Sequence, residues 1–170
     1  MRKPTAILGS AVFFLIAPVT VGFVVPWWIA GWQIGIATPE SNLFRVAGVV
    51  LVLLGLLPLV ESFGRFALMG LGTPAPIAPP KHLVVTGFYR YVRNPMYVGV
   101  LVIIVGQALI LESGAVFVYA ALIALAFTAF VMGYEEPALR RQFGDEYREF
   151  CKNVPRWLPR LTPWTPATRE

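Results

Sequence analysis

The chain has 170 residues, 57% of them hydrophobic and only 14% charged. Soluble domains carry about 25% charged residues, and a mean hydropathy of +0.69 makes a soluble globular reading untenable. The 14 Lys+Arg outweigh the 9 Asp+Glu, but they gather at the edges of apolar runs, so they argue for membrane topology and against nucleic-acid binding. One Cys and one His exclude an internal disulfide framework and a His/Cys-rich metal site.

Residues 5–25 form an apolar run about as long as the roughly 20 residues a spanning helix needs. No small-residue cleavage pattern follows it, so it is expected to be a retained span and not a cleaved leader. Pro18 can kink it. Trp27, Trp28 and Trp32 follow, and indoles at the end of a span suit an interfacial belt better than a re-entrant segment. Residues 38–42 are expected to form a turn.

The second apolar run is 43–60, with Arg45 near its start able to snorkel to the interface. Glu61 and Arg65 are four apart and face each other if the helix runs past the hydrocarbon edge. Residues 69–80 hold two glycines and four prolines, which forbid regular helix and predict a stiff connector. Its Gly70-Leu71-Gly72 lacks the remaining glycine of a dinucleotide loop. Residues 83–86 include β-branched side chains and suit a short extended piece. Arg93-Asn94-Pro95 stops that segment and opens the next helix.

The third run is 95–111. Glu112-Ser113-Gly114 makes a tight turn, and 115–133 is the fourth run, so the two form a helical hairpin. Beyond it, Leu139, Phe143, Tyr147 and Phe150 recur at helical spacing and give one apolar face. That helix can lie on the membrane surface or cap a cytosolic site. Pro155 and Pro159 end it, and 162–170 is expected to be a frayed tail.

The connections between spans one and two, and three and four, are poor in Lys/Arg. The other segments are rich, which places both termini on the cytoplasmic side. The predicted fold is therefore an all-α integral membrane protein of about four transmembrane helices in a single domain, 1–170. Segments 81–97 and 134–159 are both cytosolic and brought together by the hairpin.

Two features invite chemistry. The polar stretch 81–99 is costly at a membrane edge. Glu135-Glu136 ends span four, where a helix C-terminus disfavours anions. The pair is either an ordinary interfacial acidic pair or a site for a cationic group such as an ammonium, with Arg90 and Arg93 available on the same side. Cys151 suits a packed position on the last helix better than a nucleophile, and His82 alone is no metal site.

Taken in order, Arg93-Asn94-Pro95-Met96-Tyr97-Val98-Gly99, the hairpin, Glu135-Glu136, Phe143-Gly144-Asp145-Glu146-Tyr147 and Val154-Pro155 resemble the isoprenylcysteine carboxyl methyltransferase family and its bacterial relatives. The related phospholipid methyltransferases share the Arg-X-Pro and Glu-Glu signals. The resemblance covers roughly 72–159. It implies an integral-membrane enzyme, in a bacterial inner membrane, that uses S-adenosyl-L-methionine in a cytosol-facing pocket. The acceptor is a lipophilic or small molecule reached from the membrane lipids, with no nucleic acid and no metal involved.

Carried over by motif position, the cofactor contacts are Lys81, His82, Leu83, Val84, Tyr89, Asn94, Pro95, Met96, Tyr97 and Glu135. Arg93 and Glu136 are the candidates for a direct part in the reaction. Glu136 is a possible general base, although an acceptor that is already nucleophilic needs none. Eukaryotic members usually have His where this chain has Asn94, and a substrate-serving Arg where it has Val131. Asn is ordinary at the first position among bacterial members; the second departure argues against a prenylcysteine carboxylate as the acceptor. Two other readings are a membrane reductase, since sterol reductases resemble this family in their C-terminal half but bind a nicotinamide dinucleotide, and a non-catalytic membrane scaffold.

Overall fold

Apolar runs bounded by prolines, glycines and small polar caps become helices here, and no strand occurs among the described residues. The computed structural model describes residues 16–34, 38–69 and 82–166. The start of the first expected span, the connector 70–81 with Lys81, and 167–170 lie outside them.

Helix α1, Ile16–Ile29, contains a π-turn at Thr20–Val24 just after Pro18 and runs four residues beyond the expected end of span one. Gly31 and Trp32, with φ of 67° and 59°, terminate it. Trp28 and Trp32 are exposed beside this end, as expected of an interfacial belt.

Helix α2, Pro39–Met69, has 31 residues. At 1.5 Å rise it is about 46 Å long, more than the ~30 Å hydrocarbon core. The turn expected at 38–42 is this helix's cap. Thr38 and Ser41 exchange side-chain bonds, Ser41 N–H to Thr38 Oγ1 at 3.1 Å and Thr38 N–H to Ser41 Oγ at 2.7 Å. Arg45 does not simply snorkel: it reaches Glu112 at 3.0 Å in the turn between the next two helices.

Helix α3 is Pro95–Ile110 and helix α4 is Gly114–Phe130. A π-turn, Val131–Glu135, then joins α4 to α5, Glu136–Asn153. Span four and the amphipathic helix are thus one continuous run, Gly114–Asn153, broken in helical geometry only at Gly144. Its apolar part ends at Gly133.

Packing centres on α3. Glycines seven apart on α2, Gly48 and Gly55, meet glycines seven apart on α3, Gly106 and Gly99. A Cβ on Gly55 would stand 2.7 Å from the Gly99 carbonyl oxygen, and a Cβ on Gly99 equally close to that of Gly55. Small residues let the two backbones touch. Leu59, Ile103, Ile104, Ala108, Val116 and Ala120 fill the shared core. Gln107 on α3 donates to the Gly22 carbonyl of the α1 π-turn, and Tyr119 on α4 donates to the adjacent Val21 carbonyl at 3.0 Å. The π-turn supplies carbonyls that the α-ladder leaves free.

Among the described residues two helices, Ser41–Arg65 and the run from Gly114, are long and apolar enough to cross a membrane. Only 17% of each apolar window is buried, which a soluble core helix would not tolerate. The outward faces, with Leu53, Leu57, Leu122 and Leu125 exposed, suit lipid.

Candidate functional site

The segment entering α3 carries no strand; residues 83–85 are irregular and Thr86 is extended. Leu83 and Val85 pack on Tyr147, Phe150 and Val154, so the apolar face of α5 is covered by protein and not by lipid.

A 3₁₀ turn, Gly87–Arg90, follows. Gly87 has φ of 56°, and a Cβ there would strike the carboxylate of Glu61 and the guanidinium of Arg65. These two form an ion pair on α2, and Glu61 Oε2 accepts from the Phe88 N–H at 3.4 Å. The turn is thereby seated on the end of α2. It buries Tyr89, whose hydroxyl has no hydrogen-bond partner among the described residues. Burial, then the carboxylates of Glu135 and Glu61, push that phenol well above its ordinary range.

Asn94 precedes α3, and Pro95 takes its first position, where a missing N–H costs nothing. Asn94 does not cap the helix; its Nδ2 donates to the Arg156 carbonyl at 3.1 Å. Tyr97, one turn in, lies on Phe127 with ring centroids 4.6 Å apart and donates its hydroxyl to Glu135 at 2.6 Å.

The two glutamates have different surroundings. Glu136 is buried and saturated. Arg156 grips both its oxygens, at 2.6 and 3.1 Å, Arg93 reaches Oε1 at 3.1 Å and Arg140 reaches Oε2 at 3.5 Å. Burial pushes its carboxyl up, but the Arg156 bond and the charges of Arg93, Arg156 and Arg140 outweigh this and hold it below the usual carboxylate range. Glu135, half-buried on the π-turn, has Tyr97 as its hydrogen-bond donor and no cationic partner among the described residues. Adjacent residues point about 100° apart on a helix, which separates the two carboxylates.

The C-terminal residues are not frayed as far as 166. They form a strap along the segment before α3. Arg93 N–H donates to the Pro155 carbonyl at 2.9 Å, Arg160 N–H to that of Tyr91 at 2.9 Å, and Trp164 N–H to that of Arg90 at 3.0 Å. Arg90 returns two side-chain bonds, to the Trp164 carbonyl at 2.8 Å and to Thr165 Oγ1 at 2.5 Å.

Of the residues expected to hold a cofactor, Tyr89, Tyr97 and Glu135 converge in one electrostatic neighbourhood. Asn94 and Pro95 stand at the start of α3, with the Asn94 side chain turned to the Arg156 carbonyl. Met96 packs on the hydrophobic core, Val84 is buried, Leu83 lies on the α5 cluster and His82 is exposed. Arg156, Glu61 and Arg65 were not among the expected site residues. Arg156 follows Val154-Pro155 directly, and a cation beside that motif was the available signal.

Residues 43–146 match the model of a protein family described as phospholipid methyltransferase, which takes in α2, the 3₁₀ turn, α3, α4, the π-turn and much of α5. The chain belongs to the phospholipid methyltransferase family. Within it, the chain is 35% identical over 79 residues to a protein-S-isoprenylcysteine O-methyltransferase of Schizosaccharomyces pombe, a match covering 46% of this chain and 34% of that relative. It is 34% identical over 77 residues to protein-S-isoprenylcysteine O-methyltransferase B of Arabidopsis thaliana, covering 45% and 39%. The chain thus spans well under half the length of these curated relatives. The resemblance read from the Arg-X-Pro, Glu-Glu and Phe-Gly-Asp-Glu-Tyr motifs is matched by these proteins.

Proposed function

We propose that this protein is an integral-membrane methyltransferase that takes its methyl group from S-adenosyl-L-methionine and passes it to a lipophilic or small acceptor. The observation that carries the reading is Glu135, a half-buried carboxylate with no cationic partner among the described residues while its neighbour holds three arginines. An uncompensated carboxylate out of water is costly, and an ammonium group offsets the cost.

The donor set fits the cofactor. Glu135 suits the amino group, the Tyr89 hydroxyl is buried and free to bond a ligand, and the faces of Tyr89 and Tyr97 suit a sulfonium or an adenine. When bound, S-adenosyl-L-methionine supplies an electrophilic methyl group for in-line displacement, which needs alignment more than a strong base.

The protein's own contribution is then positional. Tyr97, fixed between Phe127 and Glu135, orients that carboxylate. Glu136 acts as a positioning residue: held low and saturated by arginines, it is a poor proton acceptor, and with Arg93 and Arg156 it fastens the strap to the root of α3. Val131 is buried at the start of the π-turn and offers no charge to an acceptor carboxylate. The site faces the cytoplasm, with both termini, in a bacterial inner membrane.

The test is thermal unfolding of the full chain in detergent with S-adenosyl-L-methionine or NADPH. Stabilisation by the first, about 2.7 kcal/mol at a hundredfold excess over Kd, is expected. Stabilisation by NADPH alone would establish a reductase instead, and no response to either would leave a non-catalytic scaffold.

A further inference from the structure

The strap, residues 154–165, lies beyond the stretch matched by the family model, and its outward face is exposed among the described residues. Leu158 is 81% exposed and Leu161 98%, the two most exposed large apolar side chains of the described residues. A loose tail could carry such residues at no cost. This segment is not loose: the carbonyl of Pro155 and the N–H groups of Arg160 and Trp164 are all bonded to the 90–93 segment, and the Arg160 guanidinium donates to the Asn153 carbonyl at 2.7 Å. The leucines are therefore held outward.

Their level is set by the same bonds. Arg160 pairs with Tyr91, four residues before Pro95, where the apolar helix α3 begins. The strap consequently sits at the edge of the hydrocarbon layer. Its composition matches that depth: half-buried Trp157 and Arg160 lie beside the leucines, while Arg156 is engaged by Glu136 and Trp164 by Phe150, and no acidic residue occurs from 153 to 166. Indoles, leucines and arginines together are the chemistry of the headgroup layer, and a basic segment free of acidic residues is drawn to anionic lipid.

We propose that the strap is a lipid-docking surface that seats Leu158 and Leu161 in the anionic headgroup layer of the leaflet on the site's side. Through Arg90, Tyr91 and Arg93 it ties that lipid surface to the segment carrying Tyr89 and Asn94. The proposal stands independently of which reaction the site performs.

The test places an environment-sensitive fluorophore at Leu161→Cys, and separately at Leu158→Cys, in a Cys151→Ser background. The full chain is reconstituted in vesicles of phosphatidylcholine with or without phosphatidylglycerol. A label at Leu125→Cys marks the bilayer interior. The strap labels are expected to lose most of their emission to lipids spin-labelled near the headgroup and little to aqueous iodide, with stronger lipid quenching when phosphatidylglycerol is present. Arg160→Gln should reduce that difference. Labels open to iodide and untouched by spin-labelled lipid would overturn the proposal and assign the leucines to water or a protein partner. Equal lipid quenching in the two vesicles would overturn its anionic preference.

Discussion

Replacing Glu135 by Gln removes one charge from the π-turn and keeps the shape of the side chain. The amide oxygen can still accept from the Tyr97 hydroxyl, which lies 2.6 Å from the carboxylate, so the local packing should survive. Two effects of opposite sign follow. The ligand-free protein loses a half-buried anion that has no cationic partner among the described residues, so its unfolding temperature should hold or rise. The complex loses a charge-assisted hydrogen bond to the cofactor ammonium, worth roughly 1.5–3 kcal/mol. At about 1.4 kcal/mol per decade, that is a rise in Kd of about tenfold to somewhat over a hundredfold. Because Gln remains an acceptor, the lower end is expected. Isothermal titration of S-adenosyl-L-methionine into detergent-solubilised protein reads the affinity, and a thermal melt without ligand reads the stability. A folded Glu135→Gln protein with wild-type affinity would refute the assignment of Glu135 to the ammonium.

Glu136→Gln should behave in the opposite way, costing about 3–5 kcal/mol of stability because it leaves the clustered Arg93 and Arg156 without their counter-charge; denaturant unfolding measures it. Its folded pKa is depressed, so the stabilisation is present above the ordinary carboxylate value of about 4.3 and is lost as pH falls through the lower folded value. Melts between pH 3 and 7 should therefore show an acid-side loss that the Gln variant lacks. Gly99→Val should wedge α3 from α2, since even a Cβ there meets the Gly55 carbonyl at 2.7 Å; a loss of about 1–3 kcal/mol is expected, and an unchanged melt would deny the close crossing. Trp164→Ala removes a ring lying 6.0 Å from that of Phe150 and loosens the strap. It should cost about 2 kcal/mol and weaken S-adenosyl-L-methionine binding, whereas a stability loss with unchanged binding would confine the strap to folding.

The helices of the described residues were legible because their apolar runs and breakers are local. Pro95 opening α3 and Glu112-Ser113-Gly114 closing the hairpin are examples in which one or two residues decide the outcome. The different fates of Glu135 and Glu136 were not legible. The sequence shows two equal neighbours; the π-turn and the arrival of Arg156 from twenty residues downstream make them unlike. The strap was hidden for a related reason. Its bonds to Arg90, Tyr91 and Arg93 use backbone groups 62 to 74 residues apart, which leave no periodicity, and its prolines read as a loose end. Gly48, Gly55, Gly99 and Gly106 were present in the expected spans, but only the antiparallel pairing of α2 with α3 gives their spacing a meaning.

That pairing also closes one side of the bundle. With the backbones of α2 and α3 touching at two levels and Leu59 and Ile103 filling the seam between them, no acyl chain can pass through that side of the bundle. Tyr97 and Glu135 stand instead where α3 meets α4, beside Phe127, and the outer face of α4 is exposed among the described residues. The glycines thus act as a bolt on one wall, and the hairpin's own flank is, among the described residues, a wall without one.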